Sequence, residues 1–314
     1  MASQLSGEKI VISGATGQVA KPIAKGLAAD NEVWAVARFG NADVRKELED
    51  AGVHTAVVDL AVGDYSGVPD DVTYGLHFAR ASAAEWGADL DTNVGGLAFI
   101  MEFCRNAKAF LHCSSTAVYQ PNGDHPRFKE TDPLGDNHRP MEAFVPDMQT
   151  YSITKIGAEG VARWGARRFD LPTTIARLNV PYGDKEFSWP GSHLDSMVAG
   201  QPVPVHTDGH TEYNPIHDDD VFAMLPGMLE IASVPATTVN WGGHDAVSIE
   251  EWCAYFGELT GIEPQFFPTD MTLQSVSVDV TKMEELVGKP SIGWKDGYRR
   301  IVAAHYPDLL KSNA

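Results

Sequence analysis

Tyr151 and Lys155 stand four residues apart in the run Tyr151-Ser152-Ile153-Thr154-Lys155, which puts both on one face of a helix about one turn apart. A phenol is a poor base near neutrality, with a reference pKa of about 10. An ammonium beside it favours the phenolate and lowers such a value by roughly 1 to 3 units. The pair can therefore exchange a proton with an oxygen on a substrate. A hydroxyl that polarises the same oxygen would complete the chemistry, and Ser114, Ser115, Thr116 and Tyr119 stand upstream. Spacing does not choose among these four. Tyr-x-x-x-Lys strings are also frequent by chance, so the surrounding elements must decide.

Those elements alternate. Short apolar runs at 10–13, 32–37, 53–59, 72–79, 109–114 and 173–178 read as strands, separated by helical segments. One helix follows Gly17 and carries Pro22 in its first turn, and one is capped by Asn41 and stops near Gly52. Two long ones cover 89–107 and 151–169. The pattern predicts an α/β fold with a parallel sheet covered on both faces. The candidate hydroxyls close the fifth strand, at the carboxyl end where ligands bind in such sheets. From Tyr119 to Gln149 the chain reads as a loop, and loops of that length are usually functional.

Between the first strand and first helix lies Ser13-Gly14-Ala15-Thr16-Gly17-Gln18-Val19-Ala20. Gly14 and Gly17 allow a tight turn and close approach of backbone to a pyrophosphate. The helix N–H groups and dipole then hold the anion. The second strand ends in Arg38, where NAD would prefer an acidic residue and a 2′-phosphate an arginine. NADP(H) is thus the favoured cofactor, with NAD(H) possible. Asp59 and Leu60 are placed to meet the adenine edge.

Taken together, Gly14 to Ala20, His77-Phe78-Ala79, Asn93-Val94-Gly95-Gly96, Ser114 to Tyr119, Tyr151 to Lys155 and His217-Asp218-Asp219-Asp220-Val221 resemble the short-chain dehydrogenases/reductases of the extended type. That group contains nucleotide-sugar epimerases and dehydratases. The resemblance implies a Rossmann-type doubly wound parallel sheet with a smaller C-terminal substrate-binding region. It implies Ser115 as the catalytic hydroxyl, Tyr151 as acid/base and Lys155 as its partner. It places Gly14, Thr16, Gly17, Gln18 and Val19 at the cofactor, with Arg38, Asp59, Leu60 and Ala79. Asn93, Tyr151, Lys155 and Leu178 complete that set, and Asn93 has a structural alternative, tying its helix to a strand. Substrate would meet Ser115, Thr116, Tyr151, Val180 and Trp189. His77 reads as a packed histidine, and His217 with Asp218 to Asp220 as a capping cluster. No metal is expected.

Three departures from the sugar enzymes bear on substrate. Thr116-Ala117 stand where dehydratases carry acids. Val180 stands where sugar-nucleotide members place an asparagine. Thr211 to Pro215 offer a carboxylate, Glu212, where an arginine often holds the diphosphate. With Phe187, Trp189, Tyr213 and Trp241 nearby, they suggest reduction or oxidation of a small, largely uncharged carbonyl or alcohol. The alternative is a sugar or nucleotide-sugar epimerase using bound NAD, and a redox-sensing binding protein is disfavoured by the presence of Tyr151 and Lys155.

The 314 residues suffice for a dinucleotide-binding domain over 1–180 and a substrate-binding region over 181–314, with about 211–245 returning to the main sheet. A net charge of −19 argues against nucleic acid or anionic lipid as partner. Three cysteines without a Cys-x-x-Cys pair and a polar start read as a cytoplasmic protein with free thiols. The two long helices resemble those that pair in family dimers, which implies a homodimer.

Overall fold

The computed structural model describes residues 5–83, 85–124, 126–137, 148–185 and 188–311. Its frame is a sheet of β1 (Lys9–Ser13), β2 (Glu32–Ala37), β3 (His54–Val57), β4 (Tyr74–His77), β5 (Ala109–Ser115), β6 (Thr173–Leu178) and a seventh strand, Thr237–Trp241. All pair in parallel, in the spatial order seventh, β6, β5, β4, β1, β2, β3. Strands buried on both faces must be apolar on both. In β1, Ile10 and Ile12 enter one core cluster and Val11 the other. The chain order reverses between β1 and β4, and the crevice of such sheets opens there.

The helices are set by local signals. α1 (Ala20–Leu27) buries Ala20, Ile23, Ala24 and Leu27 on one stripe. α2 (Ala42–Asp50) starts where the Asn41 side chain accepts from the Asp43 and Val44 N–H groups. Gly52 follows with φ +86°, a left-handed conformation that suits glycine.

The single helix expected over 89–107 is divided. α3 (Trp86–Leu90) leads into a π-helical turn, Asp91–Gly95, before α4 (Gly96–Phe103). Asn93 lies in that turn and grips Ala81 with both ends of its carboxamide, accepting from the Ala81 N–H at 2.8 Å and donating to its carbonyl at 2.9 Å. Gly96 packs so closely that a Cβ there would lie 2.8 Å from the Leu60 Cβ. π turns inside helices are frequent at functional sites.

α5 (Tyr151–Phe169) spans the expected residues and ends at Asp170 in the left-handed region, φ +52°. Beyond β6, short strand pairs build the region over the sheet edge. Pro181–Tyr182 pairs with Ile216–His217, Val203–Val205 with Phe266–Pro268, and Glu212–Tyr213 with Val247–Ser248. α6 (Trp189–Val198), α7 (Asp218–Glu230) and α8 (Ile249–Thr260) pack around them. His217 is the N-cap of α7, its Nδ1 accepting from the Asp219 N–H at 3.0 Å. Among the described residues no helix is long and apolar enough to cross a membrane.

Candidate active site

One cavity of about 900 Å³ runs along the carboxyl ends of β1 to β6, at the large end of the range for small-molecule and cofactor sites. Its floor begins at the glycine turn. Gly14 has φ +81°, and a Cβ there would lie 2.6 Å from the Ala79 nitrogen and 2.7 Å from the Phe78 carbonyl carbon. Only glycine lets the chain leaving β4 lie this close. The Gly17 N–H donates to the Gly14 carbonyl at 2.9 Å and closes the turn. Gln18 Nε2 reaches across the cavity to the Pro181 carbonyl at 3.1 Å. Thr16 and Val19 line the same end, as do Asp59, Leu60 and the exposed Arg38. This cradle fits a dinucleotide: a tight glycine turn opening onto the start of α1, whose N-cap Val19 makes no side-chain capping bond.

At the centre, α5 brings Tyr151 and Lys155 to the cavity wall. Lys155 is buried, and its Nζ donates to the Cys113 carbonyl on β5 at 2.7 Å. The four candidate hydroxyls differ in their partners, although Ser114, Ser115 and Thr116 all touch the cavity. Ser114 points under α5, donating to Glu159 Oε1 at 2.8 Å. Tyr119 is fully buried and donates to Asn240 Oδ1 at 2.5 Å while accepting from Arg177 Nη1 at 3.0 Å. Burial pushes its phenol up to about 12 against the opposing pull of Arg177, so it stays a donor. Ser115 and Thr116 line the cavity. Ser115 Oγ caps a short turn by accepting from the Ala117 N–H at 3.2 Å.

A buried ion pair holds this strip together. Arg177 on β6 donates twice to Glu159 on α5, Nε to Oε1 and Nη2 to Oε2, both at 2.8 Å. Glu159 lies one helical turn beyond Lys155, so the pair clamps the face of α5 that carries the ammonium. Asp89 holds the other end, accepting from the Ala83 N–H at 2.6 Å and from Thr150 Oγ1 at 2.7 Å, immediately before Tyr151. The Arg80 guanidinium sits 5.1 Å from the centroid of the Tyr151 ring. Behind the strip, His77 shares a hydrogen bond with Ser13 Oγ at 2.7 Å and stacks on His112. Burial, then the Lys155 charge, lowers His77 to about 3, so the imidazole is neutral.

The far wall is apolar: Val180, Pro181, Trp189, Tyr213, Leu273 and Val276. Trp189 meets Tyr213 edge to face with ring centres 4.9 Å apart. The Tyr213 hydroxyl turns away to the Gln274 carbonyl at 3.0 Å. Buried Asn179 donates to the Val276 carbonyl at 2.6 Å, while Val180 beside it adopts φ +33° and faces the cavity. Of the other aromatic residues singled out in the sequence, Trp241 is buried in the core, and Phe187 lies outside the described residues.

All but one of the sequence-predicted cofactor and substrate residues line this cavity. Asn93 does not, because its carboxamide is spent on Ala81. Sequence reasoning missed Arg80, Asn137, Leu273 and Val276. Arg80 directly follows the His77-Phe78-Ala79 motif, a signal that could have found it. The other three lie in irregular segments without a motif.

A sequence profile of the NAD dependent epimerase/dehydratase family matches residues 10–242. The chain is 22% identical over 321 residues to an Arabidopsis thaliana trifunctional UDP-glucose 4,6-dehydratase/UDP-4-keto-6-deoxy-D-glucose 3,5-epimerase/UDP-4-keto-L-rhamnose-reductase, covering 94% of this chain and 46% of that protein. It thus spans about half the length of the first curated relatives it matches. Among solved structures, UDP-N-acetylglucosamine 4-epimerase from Methanobrevibacter ruminantium superposes with a TM-score of 0.80 at 16% identity, over 97% of this chain and 100% of that one. UDP-glucuronic acid 4-epimerase from Bacillus cereus, in complex with UDP-glucuronic acid and NAD, gives 0.77 at 18% identity, over 93% and 97%. At such identities the superpositions show the fold. The profile match goes further: this chain belongs to the NAD dependent epimerase/dehydratase family, within the extended short-chain dehydrogenases/reductases.

Proposed function

We propose that this protein is an NAD-using epimerase-type enzyme that takes hydride from a secondary alcohol of a sugar or nucleotide-sugar substrate and returns it to the other face. The observation that carries this reading is the convergence of Ser115, Tyr151 and Lys155 with the glycine turn on a single cavity. The relatives' names support the substrate class, and solved relatives with bound NAD support the cofactor. Thr116-Ala117 beyond Ser115 supply no carboxyl to expel water, which sets the proposed chemistry apart from dehydration.

In this scheme residues 1–180 hold the cofactor and 181–314 supply the substrate wall. The backbone of Gly14 to Val19 would receive the pyrophosphate, and Asp59 and Leu60 the adenine. Bound NAD would supply the hydride acceptor. Tyr151 takes the alcohol proton as the carbonyl forms and returns it afterwards. Ser115 Oγ donates to the same oxygen and stabilises charge that develops on it. Lys155, fixed on the Cys113 carbonyl, holds its ammonium at the cavity wall one helical turn from Tyr151. We infer a homodimer through α4 and α5, whose outer faces leave Phe99 39% and Trp164 52% exposed.

A second reading, net reduction of a largely uncharged carbonyl by NADPH, is favoured by two observations: Arg38 at the ribose end and the apolar far wall. One assay separates them. The purified protein, loaded with NAD, is incubated with UDP-glucose and UDP-galactose, and in parallel with NADPH and a carbonyl panel. Interconversion without net change in cofactor absorbance is the expected result. Stoichiometric NADPH consumption with no sugar conversion would replace the first reading with the second.

A further inference from the structure

The buried asparagines around the site use both ends of their side chains. Asn93 spends both on Ala81. Asn179 donates to the Val276 carbonyl and accepts from the Asn214 N–H. Asn214 donates to the Gly243 carbonyl and accepts from the Val278 N–H, and Asn240 donates to Phe128 and accepts from Tyr119. Asn137 breaks this rule. It is 3% exposed, and neither its Oδ1 nor its Nδ2 has a hydrogen-bond partner among the described residues. It also forms part of the cavity wall, with Ser115, Thr116 and Tyr151. A buried carboxamide left unpaired at both ends is unfavourable, and native proteins seldom keep one without a use for it.

Its position is fixed. Gln120 donates its N–H to the Pro133 carbonyl at 3.0 Å, and the Gly135 N–H donates to the Val118 carbonyl at 2.9 Å. Tyr119 and Leu134 form a bridge between these bonds. Gly135 permits the approach, since a Cβ there would lie 2.8 Å from the Gln120 Cβ. The segment before Asn137 is therefore laced to the chain that leaves Ser115. The last side-chain torsion of asparagine is soft, so the amide can turn toward a group seated beside Ser115.

Resting on the reading that substrate sits beside Ser115 and Tyr151, we propose that Asn137 is a specificity-determining residue that binds a hydroxyl next to the reacting carbon. A carboxamide offers a donor and an acceptor side by side. A hydroxyl, or two on neighbouring carbons, answers both, whereas an aliphatic or aromatic surface answers neither. The ring face of such a substrate would lie on Trp189, Val180 and Leu273, and its hydroxyl edge on Asn137. This selects a polyhydroxylated ring over an uncharged hydrocarbon ketone.

The test compares wild type with Asn137→Leu, which keeps the branched shape and the number of heavy atoms and removes the polar ones. In calorimetric titrations of the NAD-loaded protein, UDP-glucose should bind at least about tenfold more weakly to the variant, with UDP unchanged. Sites built to bind a hydroxyl lose at least that much when the contact is removed. The ligand-free variant should melt no lower than wild type, because an unpaired amide has been replaced by an apolar group. Equal UDP-glucose affinity in the two proteins, or a clear drop in melting temperature, would overturn the proposal. If wild type binds no nucleotide sugar, that sinks the nucleotide-sugar reading alone. Trans-1,2-cyclohexanediol and cyclohexanol then decide the role of Asn137. A wild-type preference for the diol that Asn137→Leu abolishes supports it, and no preference, or one that survives the substitution, overturns it.

Discussion

The wall from the glycine turn to Ala79 comes from the ends of neighbouring parallel strands, β1, β2, β3 and β4, and is shaped by backbone. The wall opposite comes from Val180, Trp189, Tyr213, Leu273 and Val276, five positions scattered over almost a hundred residues and shaped by side chains. In the first wall, a Cβ on Gly14 would strike the Ala79 nitrogen at 2.6 Å, so the sequence there has little freedom. In the second, none of the five positions belongs to the seven-stranded sheet. The difference teaches where specificity resides: the first wall suits a ligand shared by a family, and the second is free to follow the substrate.

The two walls meet at α5 and β6, and that joint offers the largest effect. Glu159→Ala leaves Arg177 buried without its carboxylate, since both side chains are at most 2% exposed. Breaking such a pair from one side costs about 3 to 5 kcal/mol. Chemical denaturation should show the loss, and an unchanged midpoint would mean the walls are joined some other way. A smaller effect should fall on the first wall alone. Arg38→Ala should weaken NADPH about tenfold and leave NADH unchanged if the guanidinium meets a 2′-phosphate. Fluorescence titration with both cofactors would show this. Equal weakening of both would mean that Arg38 contacts a part the two cofactors share.

The smallest effect concerns the histidines behind the strip. The unfolded chain protonates His77 near pH 6.5, and the folded protein only near 3, where burial and Lys155 have driven it. The unfolded state thus binds more protons between those values. The stability this imidazole contributes is complete above pH 6.5 and drains away as the pH falls toward 3. Between pH 6.5 and 5.5 the loss is about 1 kcal/mol. Stability profiles of wild type and His77→Gln should diverge by that amount over that interval, and parallel profiles would show that His77 is protonated as easily in the fold as outside it.

What the sequence made legible follows the same division. Gly14, Gly17, Tyr151 and Lys155 are set by turns and helix spacing, which are local, and α5 begins and ends where its residues predict. Ser114 and Ser115 could not be told apart by spacing. Adjacent strand residues face opposite ways, and which way is decided by Glu159, forty-odd residues later. The helix over 89–107 read as continuous because its apolar residues keep helical period. The break comes from Asn93 binding Ala81 and from the packing of Gly96 on Leu60, contacts that only the fold creates. Leu273 and Val276 belong to no regular element and reach the cavity partly because Asn179 holds the Val276 carbonyl. No periodicity announces such residues.

The account stands on the phenol of Tyr151 moving a proton beside the cofactor, and Tyr151→Phe tests this with the smallest change in shape. NADH titration and turnover of UDP-galactose should be measured on the same preparations of wild type and variant. Unchanged NADH affinity with turnover reduced at least about 100-fold is the predicted result, since a positioned general acid–base contributes about that much or more. Turnover that survives the loss of the hydroxyl would contradict the central claim.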